Sequence, residues 1–103
     1  MEIKMHMATR DGKAYAEGIY RDGIIIVKAG GKISELFKGG KTAKKYREDR
    51  NIVDENGNIL VDCEFNSPST AAQFVNGNIS NGHRVWKVDN ETLDAYLTRN
   101  GLK

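Results

Sequence analysis

The sequence predicts an α+β domain: an N-terminal antiparallel β-meander, then α-β-α-β-α elements whose helices pack on a mainly antiparallel sheet. Three observations carry this expectation. The first 29 residues hold three apolar segments separated by Asp-Gly turns. The stretch from Ser67 to Gly77 has a start and a stop of the kind that bound a helix. Between and after the helices, alternating or β-branched runs return at Ile59–Phe65 and Val85–Val88.

In chain order, Ile3, Met5 and Met7 alternate with Glu2, Lys4 and His6, the period of a half-buried strand. This is read as an edge strand with His6 solvated on its polar face. Thr9-Arg10-Asp11-Gly12 makes a turn, Lys13 to Tyr20 a second strand, and Arg21-Asp22-Gly23 a second turn. Ile24-Ile25-Ile26-Val27 is apolar on both faces and belongs inside a sheet or under a helix. Ala29-Gly30-Gly31-Lys32 and Lys38-Gly39-Gly40-Lys41 are flexible breaks, and Ile33 to Phe37 between them is at most one helical turn.

A helix is expected with Thr42 as cap and Ala43 to Arg50 as body, its inner face made of Ala43, Tyr46 and the stem of Arg50. Asn51 is its left-handed stop, after which Ile52 and Val53 pack back. Asp54-Glu55-Asn56-Gly57 turns into a strand in which Ile59, Val61, Cys63 and Phe65 share the apolar face. The central helix follows. Ser67 can accept from its free N–H groups, Pro68 suits the first helical position, and Gly77 ends it. Ala71, Phe74 and Val75 form its buried stripe, with Ala72 beside them. After a polar connection over Asn78–Arg84 comes the strand Val85-Trp86-Lys87-Val88. The last helix is capped by Asn90, lined by Leu93, Tyr96 and Leu97, and stopped by Gly101.

A chain of 103 residues, 39% hydrophobic and 29% charged, is expected to be one domain over residues 1–103. No basic-then-apolar leader opens it and its longest apolar run is Ile24–Val27, so a cytoplasmic protein without membrane partners is expected. A single cysteine, Cys63, excludes an internal disulfide and a multi-thiolate metal site. It falls on the apolar face and reads as a core thiol. Gly18-Ile19-Tyr20 lacks its second nuclease triplet, and Gly40-Lys41-Thr42 has Glu35 where a phosphate-binding loop needs glycine. Neither His6 nor His83 is spaced for a metal or a nucleophile, and no carboxylate pair is placed for acid–base work. No catalytic residue, metal ligand or cofactor is expected, and the chain reads as a non-enzyme.

The charge is uneven. Lys28 to Arg50 holds eight basic residues against three acidic, whereas Asn51 to Asn66 holds four acidic and no basic ones. Such asymmetry marks either an anionic partner or two solvated faces. Ser67 and Ser69 sit at a helix start whose N–H groups suit a phosphate, beside the polar connection. Trp86 reads either as a plug between sheet and helix or as a stacking platform for a base.

Phe65-Asn66-Ser67-Pro68-Ser69-Thr70-Ala71-Ala72, then Gly77-Asn78-Ile79-Ser80-Asn81-Gly82 and Trp86-Lys87, resembles a short bacterial and archaeal domain of unknown function. That family shows F-S-S-P-S-x-A-A, then S-x-N-G and W-K. Its members are found with GIY-YIG nuclease and restriction-endonuclease-like proteins. It is akin to the restriction enzyme and adenine methylase associated domain. The resembling region is residues 42–97, with Asn66 standing where the family has Ser. The resemblance implies a non-catalytic accessory module, DNA-binding in a restriction–modification-like context, with nucleic acid and a catalytic protein as partners. Lys41, Lys44, Lys45, Arg47 and Arg50 would meet phosphates. Ser67, Ser69, Asn78, Asn81, His83, Arg84 and Lys87 would complete the contact surface. The alternative is a protein-interaction or structural domain.

Overall fold

The computed structural model describes residues 2–102, so both ends of the expected domain, Met1 and Lys103, lie outside the described residues. Strands β1 (Ile3–Ala8), β2 (Tyr15–Arg21) and β3 (Ile24–Val27) form the expected meander. Helix α1 (Lys41–Glu48), strand β4 (Cys63–Phe65) and helix α2 (Pro68–Asn76) follow. The chain ends with a single helical turn α3 (Gly82–Val85), a small hairpin of β5 (Lys87–Val88) and β6 (Glu91–Thr92), and helix α4 (Leu93–Arg99). The sheet order is β4-β3-β2-β1-β5-β6, with every neighbouring pair antiparallel. The α+β class stands.

Asp22 and Gly23 both have positive φ, 50° and 87°, in the two-residue loop that joins β2 to β3. That is the twist a tight hairpin demands. Ile3, Met5 and Met7 are buried and Lys4 and His6 exposed, so one sheet face is covered and the other open. β3 shows the consequence: Ile25 and Val27 are buried, but Ile24 and Ile26 are only half-buried. β1 is not an edge strand, because β5 pairs with it through His6 and Lys87. His6 Nε2 lies 3.0 Å from the Asp89 carbonyl oxygen, tied to the β5–β6 turn.

No helix forms between β3 and α1. The chain there is an extended strap, hydrogen-bonded to Tyr15, to Gly57 and Ile59, and finally to Val75 and Gly77 at the end of α2. α1 begins two residues earlier than expected. Its N-cap is Gly40, which has no side chain to cap with, and Thr42 is exposed in the first turn. It ends at Asp49 in an extended conformation, not at a left-handed Asn51. Its buried positions are therefore Ala43 and Arg47, one turn apart, while Arg50 falls beyond the helix.

Val61 is 45% exposed. Leu60 N–H turns back to the Ile52 carbonyl, and regular strand pairing resumes only at Cys63. α2 forms as expected: Ser67 Oγ accepts from Thr70 N–H, Pro68 starts the helix, and Gly77 ends it at φ 78°. The segment from Val85 is not one strand. Val85 closes α3, Trp86 caps it, and only Lys87 and Val88 pair. Asn90 does not cap α4; Glu91 and Thr92 first pair with β5, and Thr92 Oγ1 then accepts from Ala95 N–H.

Trp86 is fully buried, and its Nε1–H donates to the Pro68 carbonyl over 3.1 Å. A Cβ on Gly18 would come within 3.2 Å of the indole ring, so bare backbone in β2 makes room for it. The plug reading is correct, and no ring face is left for a base. Tyr46, Phe65 and Phe74 stack at centroid distances of 4.7 and 5.2 Å, joining α1, β4 and α2.

Candidate nucleic-acid interface

Lys41, Lys44 and Lys45 stand on the exposed side of α1 and, with Glu48 and Asp49, line a shallow depression of about 400 Å³. Among the described residues none of the three is in an ion pair. Lys41 opposes the helix dipole, since it occupies the first helical position, where positive charge is unfavourable; Lys45 in the last turn suits it, beside Glu48 and Asp49, which do not. Lys38, three residues before α1 begins, is exposed and bridges to Asn78 just past the end of α2.

The other two cations of this segment turn away. Arg47 is only 8% exposed. Its Nη2 donates to the Ser34 carbonyl and Oγ, and its guanidinium lies 4.7 Å from the Phe37 ring centre. Nη1 is buried without a hydrogen-bond partner. Burial in this low-dielectric setting pulls the guanidinium pKa down. Arg47 therefore does not project toward a duplex, contrary to the expectation. Arg50 bends back instead, its Nη1 making long contacts of 3.5 and 3.4 Å with the Val53 and Asp54 carbonyls.

The start of α2 is occupied: Thr70 N–H donates to Ser67 Oγ, Ala71 N–H to the Ser67 carbonyl, and Ser69 Oγ accepts from Gly82 N–H at 3.0 Å. Gly82 lies so close that a Cβ there would be 2.1 Å from the Pro68 carbonyl carbon. The chain thus covers the helix end itself, and the expected phosphate seat is closed. The reason is tertiary, since the polar connection runs back along α2 to deliver Trp86 beneath it.

Asn78 and Asn81 are exposed; the Asn78 backbone N–H donates to Asn76 Oδ1, and Asn81 Oδ1 accepts from His83 N–H as the cap of α3. Arg84 is exposed on α3, while His83 and Lys87 are half-buried. The candidate residues thus form two groups, one on α1 and one around α3, and each of those helices packs on α2. Sequence reasoning missed Ser34 and Phe37, which hold Arg47, and Gly82, which closes α2. It also missed Leu36 and Ile79, which are 81% and 78% exposed.

Cys63 is buried, and desolvation raises its thiol pKa to about 11, a core thiol rather than a nucleophile. Among the described residues no group of three His, Cys, Asp or Glu side chains is placed to hold a metal, and no helix is long and apolar enough to cross a membrane.

Fold and surface together define a small α+β domain with a one-sided antiparallel sheet and an exposed lysine-bearing helix. The chain belongs to the family described as a domain of unknown function (DUF4357), which matches residues 5–97. The match begins in β1 and so takes in the meander, not only the region from residue 42. No curated protein and no solved structure matches the chain.

Proposed function

We propose that this chain is a non-catalytic accessory module of the cytoplasm that binds DNA through the outer face of α1, beside a nuclease or methylase of the restriction–modification kind. One observation carries the reading. Three lysines without ion-pair partners among the described residues share one short helix, and the first is placed against the dipole, where it costs stability. A face selected only for solubility has no need of that arrangement. Lys38, Asn78 and Arg84 extend the polar surface beyond α1. The family resemblance supports the setting.

Fluorescence anisotropy with short duplex and single-stranded DNA tests this reading. Non-specific binding in the range of about 10⁻⁴–10⁻⁶ M is expected, with a log–log salt slope near −3 for some three phosphate contacts. Lys41→Glu together with Lys45→Glu should abolish it. A salt-insensitive or undetectable response at low ionic strength refutes the proposal. The second reading, a protein-docking domain, is favoured by the exposure of Leu36 and Ile79. It predicts that Leu36→Asn with Ile79→Asn removes an association that the lysine variants leave intact.

A further inference from the structure

Helix α2 covers one face of the sheet, and the side chains of the other face alternate with those it buries. An antiparallel sheet face left to water ordinarily carries polar side chains. The borders of this one do: Lys4, Glu17, Arg21 and Glu64 are exposed. Its centre does not. Ile19 pairs directly with Ile26 across β2 and β3, and Ile24 lies two residues before Ile26 on the same side of β3. These three isoleucines are half-buried, whereas Ile25 and Val27 point the other way, into the core. Tyr15, on the same side of β2 as Ile19, is 45% exposed. An apolar strip thus runs along the two middle strands of the four from β4 to β1, facing away from the core.

The charges beside the strip are matched in sign across it. One row over the four strands reads Lys4, Ile19, Ile26, Glu64. The next reads His6, Glu17, Lys28, Asp62, with Lys28 and Asp62 ion-paired at 2.7 Å and His6 tied to the Asp89 carbonyl. Among the described residues Lys4, Glu17 and Glu64 are in no ion pair. Such a balanced face suits neither a polyanion nor an anionic membrane, but it suits a copy of itself. A twofold axis parallel to the strands, between β2 and β3, lays β1 of one copy over β4 of the other and β2 over β3. Ile19 then meets Ile26, Lys4 meets Glu64 and Glu17 meets Lys28, each contact occurring twice, as an isologous interface requires. An axis at right angles to the strands would set Lys4 on Lys4 and Glu64 on Glu64, so the charges also choose the orientation.

We infer that the open sheet face is the contact between two copies of this chain, stacked sheet on sheet with their strands aligned to within about 30°. Four strands spaced about 4.8 Å apart, over about five residues each, give a footprint of roughly 300 Å² per copy. That is at the small end for a specific interface, so the dimer is a weak one, with a dissociation constant of about 10⁻⁵–10⁻⁴ M. The inference does not rest on the DNA-binding proposal. Helix α1 stacks through Tyr46 on Phe65, which lies on the covered face, so its lysines stand on the opposite side of the sheet from this contact.

The test is sedimentation equilibrium of the intact chain from about 5 μM to about 1 mM, a range that brackets the expected constant. A monomer–dimer equilibrium is expected. Lys4→Glu and Glu64→Lys should each weaken it about tenfold, since each sets like charges opposite one another twice. An equimolar mixture of these two variants should associate as the parent chain does, because each brings the charge that the other lacks. That recovery cannot arise within one copy, where two strands stand between Lys4 and Glu64. Ile19→Thr with Ile26→Thr keeps the β-branching and should remove the dimer. The charge variants alter only exposed side chains and keep the test valid if the threonine pair folds poorly. Lys41→Glu with Lys45→Glu should leave the dimer intact, which separates this contact from DNA binding. A monomer at every concentration, single charge variants that dimerise as the parent does, no recovery in the mixture, or a dimer removed by Leu36→Asn with Ile79→Asn would each overturn the inference.

Discussion

Helices α1 and α2 pack against each other yet are specified in opposite ways. α2 has a serine cap, a proline at its first position and a left-handed glycine at its end, and five of its nine residues are buried. α1 has a glycine cap with no side chain and a lysine at its positive end, its last turn mixes Lys45 and Arg47 with Glu48, and only Ala43 and Arg47 are buried. α2 is a helix by its own local chemistry. α1 is a helix because Tyr46 stacks on Phe65 and Phe74 and Arg47 hooks the strap at Ser34. Short helices depend on such tertiary anchoring. Once its inner face is anchored, the outer face is free to carry charges that local stability would not choose.

The largest expected effects lie at the ends of α2. A Cβ on Gly77 would stand 2.0 Å from the Leu36 carbonyl oxygen at a φ of 78°, and one on Gly82 would meet Pro68 backbone. Gly77→Ala and Gly82→Ala should each cost about 3 kcal/mol or more in urea unfolding. Gly40 is the contrast: its Cβ would find only Gln73 Oε1 at 3.6 Å. Gly40→Ala, which loses only cap preference, should cost about 0.5–1 kcal/mol. Equal costs at the three sites would break the contrast drawn here.

The next effect concerns β4, the floor shared by both helices. Burial raises the Cys63 thiol from 9.0 to about 11, so the unfolded chain releases this proton first. The contribution of Cys63 is complete below pH 9.0 and is lost as pH rises toward 11. Relative to Cys63→Ala, the parent chain should lose about 1–3 kcal/mol across that window. Parallel slopes for the two proteins would show that the thiol is not sealed beneath the helices.

Smaller effects sharpen the comparison. Ser67→Ala removes the bond to Thr70 N–H and should cost about 1 kcal/mol. In α1 the signs reverse. Gly40→Asp adds a missing cap and Lys41→Glu removes a misplaced cation, each expected to stabilise by about 0.3–1 kcal/mol. Lys41→Glu should at the same time weaken DNA binding. A stabilised variant with unchanged DNA affinity would separate the lysine from the proposed function.

Legibility followed the same division. The alternation of Ile3, Met5 and Met7, the Asp22-Gly23 turn and the bounds of α2 were readable because each is settled within a few neighbouring residues. The bounds of α1 were not: the helix stops at Glu48, so Arg50 lies beyond it, and Arg47, one turn after Ala43, takes the inner face. Trp86 was readable only as either core or stacking platform, and the turn that delivers it into the core was not readable at all. Nothing local announces that Gly82 must lie against Pro68, or that bare backbone at Gly18 receives the indole. Asn90 is as good a cap as Thr92 until Glu91 and Thr92 pair with β5. The candidate site was legible as a run of cations and no further, because charge can be counted along a chain but exposure cannot.

By itself, the sequence determined the class of fold, the meander, and a central helix with both ends marked, since caps, turns and alternation act over a few residues. Tertiary structure alone decided which cations face water. Arg47 is enclosed by Ser34, thirteen positions away, and the start of α2 is covered by Gly82, so the surface left for a partner was set by contacts that span the chain.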